Sequence, residues 1–360
     1  MLPLFFINLI ITIIYMSNTI SHRIQKPFVT ESGFELSEPV AAYKSWGNLN
    51  PEKDNVVFIC HALTGNPHAD EWFGGLMGAG KTIDPDKHFV VCPNILGSCY
   101  GTTGPCSINP KTGKAYQADF PEITIRDIVR FHQLLLDDLG VNGIELVVGG
   151  SLGGMTALEF AIMDERVQKA AVFAMGKAHS PWAIGISHAQ RKAIYADQNW
   201  NGGFYSPENP PSSGLAAARA MAMITYRAPG NYEQKFQREI NPEKKIYQVE
   251  SYLDYQGEKL AARFDANSYI ALSKAMDSHD VSRNRGTFEE VLRNLNKPVL
   301  VVGFESDLLY PIKEQKELAK LIPKGTFESV NSPYGHDAFL IEFDQLNNHL
   351  TTFYHSHNNA

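Results

Sequence analysis

The sequence has little cysteine and no excess of positive charge. Its 360 residues contain 4 cysteines, with no C-x-x-C pair and no histidine at a familiar zinc-ligand spacing, so neither a disulfide framework nor a metal site is expected. Lys and Arg number 32 against 39 Asp and Glu, and the formal net charge is −7. This balance disfavours a broad electrostatic surface for nucleic acid or anionic lipid. We therefore expect free thiols in a reducing compartment, which favours the cytoplasm, and no nucleic-acid partner.

The N-terminal segment is unusually apolar. Residues 1–15 are apolar apart from Asn8 and Thr12, which is long enough for a signal-peptide core but short for a membrane span. No Lys or Arg precedes this run, and the residues after it form a poor cleavage site. Because Met16 opens a polar stretch, a wrongly chosen start codon is one interpretation, and a signal, an anchor or a packed appendage are the others.

Short, continuously apolar runs indicate strands that are buried on both faces. They lie at residues 56–60, 89–92, 146–148, 170–174 and 299–302. Between them, apolar residues spaced by three and four from Ile125 to Leu139 predict a helix that stops at Gly140. Strands that alternate with helices predict an α/β fold with a mostly parallel sheet and right-handed crossovers.

The alternation stops between residues 180 and 294. This stretch is rich in Ala, Met, Tyr, Asn and Arg, has helical runs such as residues 214–226, and shows no convincing buried strand. We interpret it as a helical cap inserted between two core strands. The expected organisation is a leader at residues 1–16, an α/β core at 17–179 and 295–355, and a cap at 180–294.

The segment around Ser151 carries the clearest catalytic signal. An apolar strand runs into G-x-S-x-G, formed by Gly149, Ser151 and Gly153, and a helix is predicted to begin near Leu152. Such an elbow lifts a serine hydroxyl out of the sheet, and its neighbours must be small because side chains would collide there. The helix N-terminus faces the reacting oxygen, so the Leu152 backbone N–H can stabilise an oxyanion. Ser151 is the candidate nucleophile; the alternative is a structural glycine turn.

A serine nucleophile needs a base, and the base needs an orienting carboxylate. In this architecture the chain order is Ser, then Asp or Glu, then His. The strand at residues 299–302 leads into a loop that carries Asp307, for which Glu305 and Asp280 are rivals, and a later loop offers His336. We therefore predict Asp307 as the orienting acid and His336 as the base.

The second oxyanion donor is expected in the loop after an early strand. That loop is residues 60–65, and the Leu63 backbone N–H is the candidate. His61 in the same loop, and His279 further on, also lie at expected element ends.

Taken together, these motifs closely resemble those of the homoserine O-acetyltransferases over residues 43–343. The matching blocks are CHALTG at 60–65, NILGSCYGTTGP at 94–105, SINP at 107–110, GGSLGGM around Ser151, DQNWNGG at 197–203, QVESYL at 248–253 with YQG at 255–257, RFDANSY at 263–269 and YGHD at 334–337. The resemblance implies the α/β-hydrolase fold, methionine biosynthesis, acetyl-CoA as co-substrate with no bound cofactor, and a homodimer through the cap. It makes Ser151 the acyl-accepting nucleophile, His336 the base and Asp307 its orienting acid.

The resemblance also assigns substrate-binding residues. The family's substrate-binding arginine falls on Arg219 and its substrate-binding acid on Asp337, with Arg227 as the alternative clamp. An arginine fork suits the carboxylate of an amino acid, and a carboxylate suits its ammonium group. Since the family also carries a histidine at the position of His61, we interpret His61 as loop scaffolding.

Two points leave alternatives open. The loop at residues 98–100 reads Ser-Cys-Tyr where the commonest family pattern is Gly-Cys-Lys. The missing lysine either changes how the loop contacts the CoA phosphates or changes only its surface charge. In addition, a sibling transferase that uses succinyl-CoA or serine shares nearly all these motifs, and a serine esterase of the same fold would use the same triad. A plain esterase has no need of Arg219 and Asp337.

Overall fold

The computed structural model describes residues 19–357, so the leader predicted at residues 1–16 lies outside the described residues. The strands are β1 (Ile20–Arg23), β2 (Phe28–Val29), β3 (Glu35–Leu36), β4 (Val40–Trp46), β5 (Val56–Cys60), β6 (Phe89–Pro93), β7 (Ile144–Gly150), β8 (Ala170–Phe173), β9 (Val299–Phe304) and β10 (Gly325–Val330). The helices are α1 (Ala69–Trp72), α2 (Ile125–Asp138), α3 (Leu152–Met163), α4 (Pro181–Tyr195), α5 (Ser212–Tyr226), α6 (Pro229–Phe236), α7 (Gln248–Ala261), α8 (Ala266–Asp277), α9 (Phe288–Arg293), α10 (Ile312–Leu321) and α11 (Phe343–Ser356).

One sheet organises the core, with strand order β1-β4-β6-β5-β7-β8-β9-β10. Strands β6 to β10 in this order are parallel, while β4 pairs antiparallel with β6 and β1 antiparallel with β4. The predicted α/β fold with a mostly parallel sheet is confirmed. Strands β1 to β4 were not predicted. Strands β1 to β3 are only two to four residues long, and the apolar residues of β4 are interrupted by Lys44 and Ser45. Strand β1 is an edge strand of the main sheet, whereas β2 and β3 form a separate two-stranded sheet.

Apolar cores lie on both faces of this sheet. Alternate residues of β5 point to opposite sides, as the two-residue period of a strand requires. Phe58 belongs to the core that α2 and α3 cover, and Ile59 belongs to the core that α11 covers. This double burial is why the central strands read as uninterrupted apolar runs.

The segment expected to form a cap is helical. Helices α4 to α9 lie in the chain between β8 and β9, and α5 packs against both α4 and α7. The described part of this segment contains no strand of the main sheet, only the isolated bridges Ala178–Asp280 and Ile240–Tyr247.

The first turn of α3 packs directly against the end of β5. A side chain at Gly153 would collide with the carbonyl oxygen of Cys60 and would come within 2.9 Å of the His61 carbonyl oxygen. Glycine at position 153 is therefore what allows the helix after Ser151 to approach the loop after β5.

We predict that Gly153→Ala lowers the free energy of unfolding by about 1–3 kcal/mol, because backbone atoms cannot move aside for the added methyl group. Gly185→Ala is the matched control, since Gly185 lies in α4 with open space around its α-carbon. It should raise the free energy of unfolding by about 0.5–1 kcal/mol. Denaturant unfolding measures both, and equal stability of the two variants would contradict the packing described.

Buried histidines make the stability of the fold depend on pH. Burial lowers the pKa of His61 to about 4 and the pKa of His132 and His179 to about 3. The ring of His132, on α2, lies 5.5 Å from the ring of Phe58. Because the unfolded chain binds protons near the ordinary pKa of 6.5 and the folded chain does not, stability falls as the pH drops below that value.

We predict that His132→Leu reduces this acid sensitivity. Between about pH 6 and 4, the stability of the native protein should fall more steeply than that of the variant, by up to about 1.4 kcal/mol per pH unit. Urea unfolding at a series of pH values measures the slope. The control is His355→Leu on α11, where the histidine is exposed; identical slopes for native protein and His132→Leu would show that His132 stays protonated in the fold.

Candidate active site

Ser151 forms a strained elbow between β7 and α3. Its backbone angles are φ 56° and ψ −125°, which residues other than glycine rarely adopt. The Ser151 N–H donates to the carbonyl of Phe173 at 2.9 Å, which ties the elbow to the neighbouring strand β8. Leu152 is the first residue of α3, so its N–H belongs to the helix-terminal donors that lack an intrahelical partner.

The predicted acid and the predicted base follow two neighbouring strands. Asp307 comes directly after β9, and His336 lies in the 3₁₀ turn Gly335–Leu340 after β10. Their side chains join through His336 Nδ1 and Asp307 Oδ2 at 2.8 Å, and the N–H groups of Leu309 and Tyr310 donate to Asp307 Oδ1 at 2.8 and 3.0 Å. Because an ionised carboxylate only accepts hydrogen bonds, Nδ1 carries the proton and Nε2 keeps the lone pair that a base needs.

The turn that carries His336 packs against both the elbow and the cap. The Phe339 ring fills the space beside the α-carbon of Gly150, which precedes the nucleophile, and it lies 5.5 Å from the His336 ring. On the other side, a side chain at Gly335 would come within 2.9 Å of the backbone of residues 226–228. His336 is thus enclosed between the sheet edge and the cap.

Two tyrosines flank His336, and sequence reasoning missed both. The rings of Tyr226 and Tyr310 each lie 5.3 Å from the His336 ring. The Tyr310 hydroxyl is in turn 3.0 Å from Nδ1 of His179. Only their positions in the chain could have indicated them: Tyr310 lies three residues after Asp307, and Tyr226 is the last residue of the cap helix α5.

The predicted oxyanion loop is a closed β-turn over residues 62–65. The Gly65 N–H donates to the Ala62 carbonyl at 2.8 Å, which leaves the Leu63 N–H outside the turn's own hydrogen bond. His61 Nδ1 also bonds the Ala62 carbonyl at 2.8 Å, and the Ile95 N–H donates to His61 Nε2 at 3.1 Å. With both ring nitrogens engaged and its pKa lowered to about 4 by burial, His61 is a neutral scaffold for the turn.

A charged pair lies beside His336. Arg227 Nε is 2.9 Å from Asp337 Oδ2, so the alternative clamp, Arg227, is the arginine that the structure places on Asp337. The guanidinium of Arg219 lies over the Tyr226 ring, 5.5 Å from its centre. Burial raises the pKa of Asp337, while the charges of Arg227, His336 and Arg219 act in the opposite direction.

The rivals for the catalytic acid and base lie elsewhere. Glu305 is exposed, and Asp280 accepts the N–H and the hydroxyl of Ser282 in its own turn. His279 is buried with Nε2 2.9 Å from the carbonyl of Gly176, which makes it a structural histidine.

A cavity of about 510 Å³ opens between the cap and residues 94–105, the glycine-rich loop. Its wall includes Asn66, Tyr100, Tyr205, Arg263 and Phe264. The lining does not reach Ser151 or His336.

The four cysteines are all unpaired. Within residues 19–357, no three His, Cys, Asp or Glu side chains are grouped so that they could hold a metal ion. In the same range, every helix is too short or too polar to span a bilayer.

Comparisons with known proteins identify the fold and the family. The family model for the alpha/beta hydrolase fold matches residues 55–343. The chain is 52% identical over 346 residues to a homoserine O-acetyltransferase of Chlorobium chlorochromatii, and the match covers 95% of each chain.

Solved structures share this fold. The crystal structure of a homoserine O-acetyltransferase from Bacillus anthracis aligns with a TM-score of 0.86 and 28% identity, covering 94% of this chain and 98% of that one. The crystal structure of an esterase aligns with a TM-score of 0.85 and 25% identity, covering 93% and 99%. The fold, the elbow and the sequence identity over nearly the whole length lead to one conclusion: the chain belongs to the homoserine O-acetyltransferase family of α/β-hydrolase-fold enzymes.

Proposed function

We propose that this protein transfers an acetyl group from acetyl-CoA to the γ-hydroxyl of L-homoserine and so serves methionine biosynthesis. The main support is the ion pair between Arg227 and Asp337, which directly follows the base His336 in the chain. The charge of Arg219 also acts on Asp337. Two guanidinium groups and one carboxylate leave a net charge of +1, which suits the carboxylate of an amino acid, while Asp337 suits its ammonium group. Hydrolysis of a simple ester requires none of these charges.

In the first half-reaction, Ser151 Oγ attacks the thioester carbonyl while His336 Nε2 takes the hydroxyl proton. The oxyanion forms opposite the N–H groups of Leu63 and Leu152. The intermediate then expels CoA, which leaves as the free thiol with the proton from His336. The product is an acetyl ester on Ser151.

In the second half-reaction, His336 takes the proton of the homoserine γ-hydroxyl as that oxygen attacks the acetyl ester. The same two N–H groups receive the second oxyanion. Ser151 leaves with the proton returned by His336, and O-acetyl-L-homoserine is released. Side-chain burial at Ser151 and His336 supports transfer over hydrolysis, because it limits the access of water to the ester.

We further propose a cytoplasmic homodimer that associates through the cap. Exposed apolar side chains on two adjacent cap helices support it: Met221 and Ile224 on α5 and Tyr255 on α7 are 39, 55 and 55% exposed. An apolar surface of this kind on packed helices favours a self-complementary contact.

The acceptor dependence of thiol release tests the proposed reaction. With acetyl-CoA alone we expect at most about one CoA per enzyme molecule, because the acyl-enzyme waits for an acceptor. Adding homoserine should give sustained release, faster than with serine, and faster than with succinyl-CoA as the donor. Sustained release without any acceptor would instead identify an esterase or thioesterase.

Loss of the nucleophile tests the mechanism. We predict that Ser151→Ala lowers kcat by about 10³-fold or more, because no acyl-enzyme can form. Ser206→Ala, at an exposed position of the cap segment, is the matched control and should keep native activity. Appreciable transfer by a folded Ser151→Ala protein would exclude the covalent route.

The acceptor clamp is tested through KM. We predict that Arg219→Lys raises the KM for homoserine about 10-fold, since an ammonium group cannot form the two parallel bonds of a guanidinium. The single-turnover acetylation of Ser151 by p-nitrophenyl acetate should stay unchanged, because that step involves no acceptor. Arg238→Lys, on the exposed cap surface, is the control. An unchanged homoserine KM in Arg219→Lys would remove this arginine from the acceptor site.

A further inference from the structure

We propose that Arg263 is a positioning residue that holds the oxyanion turn, residues 62–65, in its active geometry from the cap. The inference rests on the proposed acyl-serine chemistry and adds a residue to it. Arg263 Nη1 donates to the carbonyl oxygen of Thr64 at 2.9 Å. Thr64 directly follows Leu63, whose N–H is the candidate oxyanion donor.

The same nitrogen is also bound by a residue of the glycine-rich loop. Arg263 Nη1 donates to the Tyr100 hydroxyl at 2.5 Å. The Tyr100 ring meets the Phe264 ring edge to face, with centres 5.7 Å apart. Position 100 is where the sequence departs from the lysine of the commonest pattern. A tyrosine hydroxyl accepts from Arg263, whereas a lysine there would bring a second positive charge.

The backbone presents Arg263 rigidly. The residue lies between α7 and α8, and its N–H donates to the Leu260 carbonyl at 2.9 Å. Two residues later, Asp265 caps α8 by accepting the Ser268 N–H at 2.7 Å. Because these two hydrogen bonds hold the backbone between α7 and α8 in place, the Arg263 guanidinium can in turn restrain residues 62–65.

The contact completes a set of anchors around the Leu63 N–H. On one side, His61 and the Gly65 N–H hold the Ala62 carbonyl. On the other side, Arg263 holds the Thr64 carbonyl through a charge-assisted hydrogen bond, which is stronger than a neutral one. Without Arg263, the Thr64 carbonyl loses this hydrogen bond. The peptide unit beside it can then rotate, and the Leu63 N–H no longer points at the oxyanion.

This role predicts a specific kinetic pattern. Both half-reactions pass through an oxyanion at the same N–H groups, so loss of Arg263 should slow both. The acceptor is held by other residues, so the KM for homoserine should change little. A misaimed donor at a reacting atom costs up to about 100-fold in rate, and we expect Arg263→Met to lower kcat about 10- to 100-fold.

The experiment measures acetylation of Ser151 by p-nitrophenyl acetate in the pre-steady state, together with steady-state kcat and KM for homoserine. The variants are Arg263→Met, Arg263→Lys and Tyr100→Phe, each checked by thermal unfolding. Arg283→Gln is the matched control, because Arg283 also ties the segment after α8 to the core, through Glu31 at 2.6 Å, away from the turn. Guanidinium ion at a non-denaturing concentration is added to each variant as a rescue agent.

We expect slow acetylation in Arg263→Met, an intermediate rate in Arg263→Lys, a several-fold loss in Tyr100→Phe, and the native rate in Arg283→Gln. Guanidinium ion should accelerate Arg263→Met alone. A native rate in folded Arg263→Met would overturn the proposal, as would an equal loss in Arg263→Met and Arg283→Gln.

If Arg263→Met does not fold, native acetylation rates in both Arg263→Lys and Tyr100→Phe overturn the proposal instead. Failure of the proposed function is visible separately. The native protein would then be acetylated by p-nitrophenyl acetate but would not pass the acetyl group to homoserine.

Discussion

The close approach of the elbow after β7 to the end of β5 is the constraint on which the site depends. Gly153 in the first turn of α3 lies against the carbonyl of Cys60, and no larger residue fits there. Ser151, the proposed nucleophile, and the turn at residues 62–65 are therefore parts of one packed unit. Strain in the Ser151 backbone is maintained because the sheet on one side and this contact on the other leave the elbow no alternative path.

The cap acts on this unit at two places. Its backbone at residues 226–228 lies against Gly335, next to His336, and Arg263 reaches the Thr64 carbonyl beside Leu63, the proposed oxyanion donor. It also supplies Arg219 and Arg227, the cations of the proposed acceptor site. The cap thus contributes charge and orientation as well as cover, which fits a reaction in which an amino acid must be favoured over water.

Much of this was predictable because the signals are local. The buried parallel strands read as short apolar runs, and the G-x-S-x-G pattern between an apolar run and a helix indicates an elbow whatever surrounds it. The order Ser151, Asp307, His336 follows from the chain direction, and parallel neighbouring strands bring their carboxyl ends to one edge. The direct bond between His336 and Asp307 agrees with that order. Strands β1 to β3 escaped prediction because two to four residues carry too little pattern, and β4 escaped because Lys44 and Ser45 interrupt its apolar residues.

By itself, the sequence determined the fold class, the family motifs and the identity of the triad candidates, since each depends on neighbours within a few residues or on chain order. Only the tertiary structure decided which partners meet across long separations. It placed Arg227 rather than Arg219 against Asp337, set Tyr226 and Tyr310 around His336, and joined Arg263 to Thr64. Apart from that of Tyr310, these contacts join the cap to the core. They depend on packing between residues far apart in the chain, such as Thr64 and Arg263, which are 199 positions apart, and no local pattern marks such pairs.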